Sequence, residues 1–223
     1  MTQFARSGLV DNKSSLIARE GYPFILGSAL ATVVVAVLGL NVLALFLFAV
    51  TLFVCFFFRN PERVIPEEEG AVVSPADGKV VDVSIVQECD LAVEAMLKVS
   101  IFMSVFNVHV NRIPATGRVA DIVYHPGKFF SANLDKASRD NERNAVCLEM
   151  DGGRKLIVVQ VAGLIARRII CKIHKGDRLS RGERFGMICF GSRLDVYLPP
   201  DTVPAVSVGN KVMAGSSVLG HLS

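Results

Sequence analysis

The feature that most constrains this chain is an apolar run from Phe24 to Phe58 that contains no charged residue. The run is longer than the roughly 20 residues that one membrane-spanning helix needs, and it is short for two full spans. Gly39-Leu40-Asn41 interrupts it in the middle, where glycine and asparagine favour a turn. We therefore predict two short helices, near 24–38 and 42–58, that form a membrane hairpin.

Basic residues flank this run on both sides, with Arg19 before it and Arg59 and Arg63 after it. Because positively charged flanks are retained on the cytoplasmic side, we expect both ends of the hairpin at the cytoplasmic face of the cell membrane. The alternative is a single tilted span, which would place the remainder of the chain across the membrane.

The charge and the cysteine content of the chain argue against several classes of function. The net charge is +3 and the basic residues are scattered rather than clustered, which argues against a nucleic-acid partner and is compatible with an anionic membrane surface. The five cysteines stand singly, without a Cys-x-x-Cys spacing. We therefore expect neither a metal site nor a disulfide framework.

The chain divides into four predicted segments. A polar N-terminal segment, 1–23, precedes the membrane hairpin, 24–58. The stretch 59–70 contains two prolines and an acidic cluster, which end the helix and predict a solvated linker. From 71 to 223, short β-branched runs alternate with Gly, Asp and Pro, a pattern typical of a β domain.

The spacing of these runs predicts a mainly β barrel or sandwich. The segment from Gly127 to Asn144 is polar and is predicted to be a long loop, a kind of segment that is often functional. The candidate strands are 71–74, 79–86, 96–104, 107–113, 117–124, 145–150, 154–161, 167–174, 184–190, 193–198, 203–208 and 217–222.

A weak internal repeat refines the fold class. Lys175–Gly186 is similar to Val208–Gly220, since both read Gly-polar-x-apolar-x-x-Gly-x-x-apolar. Paired units of this kind occur in biotin- and lipoyl-carrier domains, where glycine supplies the positive φ of tight turns. We therefore predict a barrel-sandwich-like β domain with lipoyl-like hairpins. The repeat also matches Gly215-Ser216 to Gly182-Glu183, which makes it a turn element.

Gly191-Ser192 lies between two strand-like apolar runs, with no Pro or Asn to make an ordinary turn. The structural interpretation is a bulge between two strands. The chemical interpretation is self-cleavage, in which the Ser192 hydroxyl attacks the Gly191 carbonyl and the acyl group shifts from nitrogen to oxygen. Elimination of the ester would leave a pyruvoyl group at the new N-terminus. The local residues alone leave both interpretations open.

Two further residues are candidates for acid–base chemistry. Asp77 lies in a turn and needs no function there, but a carboxylate can also orient a histidine and stabilise its charged form. His109 lies on a predicted strand, on one face with Asn107 and Asn111, where a histidine is either structural or catalytic.

The ends of the predicted long loop also carry polar residues. His125 stands before Pro126-Gly127 at its mouth, and Asn141-Glu142-Arg143-Asn144 closes it. The structural alternative for this closing stretch is a solvated turn.

Together these motifs resemble the short bacterial form of phosphatidylserine decarboxylase. Each motif is weak, but their ordered combination is specific, and the similarity runs from about Arg59 to the C-terminus. The motifs are Phe57-Phe58-Arg59-Asn60-Pro61, Ser74-Pro75-Ala76-Asp77-Gly78, Asn107-Val108-His109-Val110-Asn111-Arg112, Asn141-Glu142-Arg143-Asn144 and Phe190-Gly191-Ser192.

The resemblance implies a proenzyme that cuts itself between Gly191 and Ser192. The β chain 1–191 and the α chain 192–223 would remain associated, and the cofactor would be a pyruvoyl group derived from Ser192. Asp77 matches the aspartate of the family's self-processing group. Arg112 stands where longer forms carry a second histidine, so the base that deprotonates Ser192 is left open.

The resemblance further implies phosphatidylserine as the substrate and phosphatidylethanolamine as the product. The pyruvoyl carbonyl would form a Schiff base with the headgroup amine and act as an electron sink, with His109 protonating the carbanion. We assign His125, Asn141 and Arg143 to substrate binding. Membrane lipid is an expected partner, a homo-oligomer is compatible with the sequence, and no diffusible cofactor is expected.

Two non-enzymatic alternatives are a membrane-anchored biotin- or lipoyl-carrier-like domain and an adaptor of a transport complex. A carrier needs a lysine at a hairpin tip, and Lys98, near Met96, lies inside an apolar run instead. An adaptor usually carries a long helical hairpin, for which the chain has no candidate.

Overall fold

The computed structural model describes residues 15–87, 91, 94–130, 140–164, 168–189 and 191–222. The chain divides into two compact units. Lys13–Glu62 forms a helical unit, and Arg63–Ser223 belongs to the second unit, which we call the β unit. Phe190 and residues 131–139 of the predicted long loop lie outside the described residues.

The predicted helical hairpin is confirmed. Helix α1 spans Tyr22–Val37, after a 3₁₀ turn at Arg19–Gly21, and helix α2 spans Asn41–Phe57. Between them Gly39 has a φ of 77°, a left-handed conformation that glycine adopts without a steric penalty. The chain therefore reverses in a short connection, as the break in the apolar run predicts.

The two helices pack against each other along their length. Thr32 Oγ1 and Thr51 Oγ1 lie 3.3 Å apart, a polar contact of the kind that joins helices in apolar surroundings. At the open end, Asn60 N donates to Leu16 O at 2.8 Å and Ala18 N donates to Phe58 O at the same distance. Both ends of the hairpin therefore lie together within this unit.

Much of the apolar surface of the hairpin is exposed. Side chains such as Leu30 and Phe46 point away from the rest of the unit, which is unfavourable in water. By length and composition, one helical stretch of the described chain, Arg19–Val37, could cross a membrane, and α2 with its 17 residues is shorter.

The β unit contains fourteen described strands, most of them short. They are β1 (Ala71–Val73), β2 (Gly78–Val86), β3 (Met96–Met103), β4 (Val110–Arg112), β5 (Gly117–His125), β6 (Arg143–Met150), β7 (Lys155–Ala162), β8 (Ile169–Cys171), β9 (Arg178–Leu179), β10 (Arg184–Ile188), β11 (Ser192–Leu198), β12 (Val203–Pro204), β13 (Lys211–Val212) and β14 (Val218–His221).

These strands form one large and two small antiparallel sheets. The eight-stranded sheet has the order β13-β2-β3-β11-β7-β6-β5-β9, and the three-stranded sheets have the orders β1-β14-β12 and β4-β10-β8. The large sheet is curled, and the mainly β, barrel-sandwich-like fold predicted from the sequence is confirmed.

The predicted repeat corresponds to two equivalent hairpin turns. Gly176 N donates to Val119 O and Gly209 N donates to Val80 O, both at 2.8 Å. Strand β9 then pairs with the start of β5, as β13 pairs with the start of β2. The second turn glycines, Gly182 and Gly215, have φ values of 83° and 77°. Gly215-Ser216 is therefore a turn element, as predicted.

The strand predictions need correction in four places. The predicted strand 107–113 is observed only as β4, because Ser104 N donates to Asn107 Oδ1 at 2.9 Å and this contact turns the chain. His109 consequently lies in a loop. The predicted strand 203–208 is observed only as β12. The two-residue strands β9 and β13 are too short for an alternating pattern to predict.

The strand registers bring several candidate residues to one edge of the eight-stranded sheet. Ser192 lies opposite Met103 on one side and opposite Ala162 on the other. The same edge carries the start of β2, the start of β6 and the end of β5. We call it the site edge, and its terminal residues are Gly78, Met103, Ser192, Ala162, Arg143 and His125.

Candidate active site

Ser192 is the first residue of β11 and is fully buried between β3 and β7. Side chains alternate across a strand, so Ser192 shares the core face with Leu194 and Val196. Its Oγ donates to Met103 Sδ at 3.4 Å. A thioether is a weak acceptor, so this contact positions the hydroxyl without removing its proton.

Gly191 precedes this serine with a φ of 67°. This is the left-handed region, which glycine adopts far more readily than other residues. Nothing lies within 4 Å of the place that a Gly191 Cβ would occupy. Backbone conformation, rather than crowding, is therefore the reason for a glycine directly before the buried serine.

His109 is also fully buried, in the loop that precedes β4. Its Nδ1 lies 3.0 Å from Asn107 O. If Nδ1 carries the proton and donates to this carbonyl, Nε2 is the basic nitrogen of the neutral ring. The turn around Asn107 thus selects the tautomer of the neighbouring histidine.

A chain of buried amides links two of the motifs. Asn144 Nδ2 donates to Gln160 Oε1 at 3.1 Å, and Gln160 Nε2 donates to Asn111 Oδ1 at 2.9 Å. Asn111 Nδ2 in turn lies 4.0 Å from Met103 Sδ, the sulfur that contacts Ser192. The structure therefore brings together the strand after His109, the stretch 141–144 and the serine.

Asp77 lies next to Gly78 on the site edge but is bound elsewhere. Arg63 Nη2 donates to both of its carboxylate oxygens, at 3.1 and 2.8 Å, and Ala214 N donates to Oδ1 at 2.7 Å. Gly78 is two strands away from Ser192, which corresponds to a backbone separation of about 10 Å. The carboxylate is thus paired with an arginine, whereas triad logic predicts a histidine.

Arg112, which stands at the place of a second histidine, is 5% exposed. Its Nη1 donates to Gly182 O at 2.8 Å, and its Cδ lies close to Gly215. The guanidinium therefore contacts the two repeated turns. It is always protonated, so it is unsuited to act as the base.

The three residues predicted to bind substrate lie along the site edge on β5, β6 and the loop between them. His125 is opposite Arg143 in the register, and both are half-buried. Asn141 is fully buried; its Nδ2 donates to Phe130 O at 2.8 Å and to Ala162 O at 2.7 Å. Asn141 therefore joins Phe130 to the end of β7.

A buried ion pair follows the serine directly. Arg193 Nε lies 2.9 Å from Asp195 Oδ1, and Arg193 Nη2 donates to Asp195 Oδ2 at 3.1 Å. Both side chains are almost completely buried on the face opposite Ser192. Removing one partner of such a pair typically costs about 3–5 kcal/mol, because the remaining charge stays buried and unpaired.

Two titratable groups near the amide chain have shifted pKa values. Burial raises the pKa of the Cys171 thiol, although a hydrogen bond with Asn144 acts in the opposite direction. Desolvation and the neighbouring Glu142 carboxylate raise the pKa of Tyr124. Both groups therefore remain protonated at neutral pH.

Sequence reasoning missed the residues that connect the site. Gln160 is the one polar residue in the apolar part of β7 after Lys155, and that isolation is a usable signal. Arg193 and Asp195 are likewise two charges within an apolar strand. No local pattern in the sequence indicates the pairing of Arg63 with Asp77, because this pairing depends on how the chain between them folds.

The structure does not present Lys98 as a carrier lysine. This residue lies within β3, its side chain is 15% exposed, and its Nζ is 3.2 Å from Asp82 Oδ2. Among the residues described, no group of three or more His, Cys, Asp or Glu side chains could hold a metal ion. The fold and the Gly191-Ser192 pair, with its buried serine, thus define a barrel-sandwich-like β unit with a candidate active site of its own.

Comparison with known proteins places this unit in a family. The family model for phosphatidylserine decarboxylase matches residues 50–220. A phosphatidylserine decarboxylase proenzyme of Geotalea uraniireducens is 55% identical over 211 residues, which cover 95% of this chain and 99% of the relative. The chain therefore belongs to the phosphatidylserine decarboxylase family, as its motifs predict.

Two further relatives agree with this assignment. The phosphatidylserine decarboxylase proenzyme of Geobacter metallireducens is 54% identical over 216 residues, covering 95% of this chain and 99% of the relative. The proenzyme of Syntrophus aciditrophicus is 53% identical over 207 residues, which cover 92% of this chain and 97% of the relative. The predicted decarboxylase class is confirmed, which argues against the carrier and adaptor alternatives.

Proposed function

We propose that this chain is a proenzyme that cuts itself between Gly191 and Ser192 and then converts phosphatidylserine to phosphatidylethanolamine. The observation that carries the proposal is the buried position of Ser192 at the start of β11, directly after a glycine with positive φ. The relatives' names, which include both the substrate and the word proenzyme, support it.

Self-cleavage begins when Ser192 Oγ forms a bond to the Gly191 carbonyl carbon and the Gly191–Ser192 C–N bond breaks, which gives an ester. Loss of the Ser192 α proton then expels Gly191 as a carboxylate and leaves a dehydroalanine. Hydrolysis of this group releases ammonia and leaves a pyruvoyl group. Because the fold keeps the hydroxyl next to the carbonyl, the first step is intramolecular and needs no bimolecular encounter.

The surroundings of Ser192 fit a pyruvoyl group. The residue is fully buried between two strands, so the new N-terminus stays within the sheet and away from water. Met103 and the strand pairing of β11 would hold it. The group supplies an electrophilic carbonyl that takes up the substrate amine and accepts the electron pair released with carbon dioxide.

His109 and Asp77 have separate proposed roles. His109 moves protons through Nε2, since Nδ1 faces Asn107 O, and its proposed task is to protonate the substrate carbon after carbon dioxide leaves. Asp77 takes part in self-cleavage. At a backbone separation of about 10 Å, it acts through an intervening group and not on the Ser192 hydroxyl directly.

Substrate binding is proposed for His125, Asn141 and Arg143 at the site edge. Arg143 contributes a cation for the anionic headgroup, and Asn141 joins Phe130 to Ala162 nearby. The two fragments, 1–191 and 192–223, stay associated because β11 lies between β3 and β7, while β13 and β14 pair with β2 and β1.

The segment boundaries 1–23, 24–58, 59–70 and 71–223 are part of the same proposal. The hairpin enters and leaves on the cytoplasmic side, which the meeting of its two ends within the helical unit supports. A site at the membrane surface suits a two-chain lipid whose headgroup lies at the interface.

Conversion of phosphatidylserine in detergent micelles by the purified chain tests this function. We expect carbon dioxide and phosphatidylethanolamine from the wild type and neither from Ser192→Ala, whereas Ser216→Ala serves as the matched control and stays active. An active Ser192→Ala variant, or a cleaved wild type without any turnover, contradicts the proposal.

A further inference from the structure

Three apolar side chains are exposed in loops that leave the site edge. Phe106, in the β3–β4 loop, is 66% exposed, and Leu164, after β7, is 64% exposed. Because β3 and β7 flank the strand of Ser192, these two residues lie on either side of the candidate active site. Phe130, in the β5–β6 loop, is 39% exposed. We call these three residues the apolar rim.

Phe130 is tied to the same place by hydrogen bonds. Asn141 Oδ1 accepts from Phe130 N at 2.9 Å, and Asn141 Nδ2 donates to both Phe130 O and Ala162 O. Ala162 is the last residue of β7, two positions before Leu164. A fully buried amide thus fixes Phe130 beside the strand that leads to Leu164.

Charge at this edge is predominantly basic. Lys128 Nζ lies 5.8 Å from the centre of the Phe130 ring, and Arg168 is exposed at the end of the β7–β8 loop. Apart from the ion pairs Arg63–Asp77 and Arg193–Asp195, the described charged residues at this edge are Lys79, Lys128, Arg143, Arg168, Lys211, Asp140 and Glu142.

The opposite edge of the sheet differs in charge. It carries the described acidic residues Glu94, Glu149, Asp151 and Asp201 beside a few basic ones, with Arg178 and Arg154 in ion pairs. Ile85, near the end of β2, is 54% exposed there. Exposed apolar side chains therefore occur at both edges, but only the site edge combines them with a basic surplus.

We propose that the apolar rim inserts into the anionic membrane surface and presents the site edge to lipid headgroups. Aromatic and aliphatic tips with flanking basic residues are the composition that binds the headgroup boundary. The insertion itself follows from the exposed side chains and charges. Its role in substrate delivery rests on the function proposed above.

The chain contains no tryptophan, which permits a direct depth measurement on the full-length protein. Phe106→Trp, Leu164→Trp and Ile85→Trp each introduce a single tryptophan. The protein is reconstituted in phosphatidylglycerol–phosphatidylcholine vesicles whose acyl chains carry bromine, a contact quencher. We expect strong quenching of tryptophan at 106 and 164, and none beyond background at 85.

Equal quenching at the three positions overturns the proposal. So does a blue-shifted emission at 106 that depends on protein concentration and not on bromine, since this would show that a second copy of the chain covers the rim.

The double variant Phe106→Ser/Leu164→Ser tests delivery and separates it from the chemistry. On vesicles containing phosphatidylserine we expect turnover to fall about tenfold or more, given the apolar area lost from two side chains. Turnover of a short-chain phosphatidylserine below its micelle concentration should be unchanged. Equal loss on both substrates, or on neither, overturns delivery by the rim, whereas a wild type inactive on both contradicts the proposed function itself.

Discussion

Asp77 and Thr116 occupy equivalent positions in the two repeated hairpins of the β unit. Ala214 N donates to Asp77 Oδ1 at 2.7 Å, and Arg181 N donates to Thr116 Oγ1 at 3.1 Å. In each case the next residue is a glycine that pairs with the short strand of the turn. A neutral hydroxyl therefore suffices to bind the turn amide, and the carboxylate of Asp77 is an additional feature.

This equivalence allows the charge of Asp77 to be removed without loss of the turn. Asp77→Thr should keep the turn, because threonine already makes this hydrogen bond in the other copy. If Asp77 takes part in self-cleavage, the rate of fragment formation should fall by about 10²–10⁴, the usual contribution of acid–base assistance. Gel analysis of fragment formation against time measures the rate.

The reciprocal change Thr116→Asp is the matched control, and we expect it to be cut at the wild-type rate. Wild-type processing in Asp77→Thr would mean that the carboxylate only binds Arg63 and the turn amide.

We predict that Gln160 is needed to hold the buried side chains of the candidate active site in place. Gln160→Met keeps a similar side-chain volume but leaves the amides of Asn111 and Asn144 without this partner. Each buried polar group left unsatisfied lowers the free energy of unfolding by about 1–3 kcal/mol. For a chain of this size, the unfolding midpoint should fall by about 2–4 °C per kcal/mol. Self-cleavage should also slow, because Asn111 contacts the sulfur that positions Ser192.

Thermal unfolding in detergent and the fraction of cut chain check this prediction. Gln87→Met, at an exposed position, is the control and should change neither quantity. An unchanged midpoint in Gln160→Met would show that the amide chain does not stabilise the site.

The orientation of the hairpin can be tested at Val64, whose side chain is 88% exposed. Both ends of the hairpin meet within the helical unit and carry basic residues that favour the cytoplasmic side, so we expect residue 64 on that side. A membrane-impermeant thiol reagent should label Val64→Cys only after the cells are permeabilised. Labelling in intact cells, above the level of the unsubstituted chain, would support a single span.

The sequence predicts those features that are local in the chain. The hairpin follows from an uncharged run with a break at Gly39, and the repeated turns follow from paired glycines. The position of Ser192 at a strand start is also close to the predicted strand 193–198. Each of these depends on residues that are neighbours in sequence.

Contacts between distant segments could not be predicted in this way. Gln160 reaches Asn111 only because β4 and β10 lie against the face of β7. Asp77 meets Arg63 because the chain after the helical unit returns to the start of β2. Both pairings depend on how segments that are distant in the sequence pack together, and no periodic pattern in the sequence indicates either of them.

The central claim is that Gly191-Ser192 is the cleavage site, and the intact mass of the purified protein tests it most directly. We predict two associated fragments, the smaller spanning Ser192–Ser223 with a pyruvoyl group in place of its amino terminus. Ser192→Ala should give one uncut mass, and Ser216→Ala should give the wild-type fragments. An uncut wild type that is active, or a small fragment that begins at residue 216, would contradict the account.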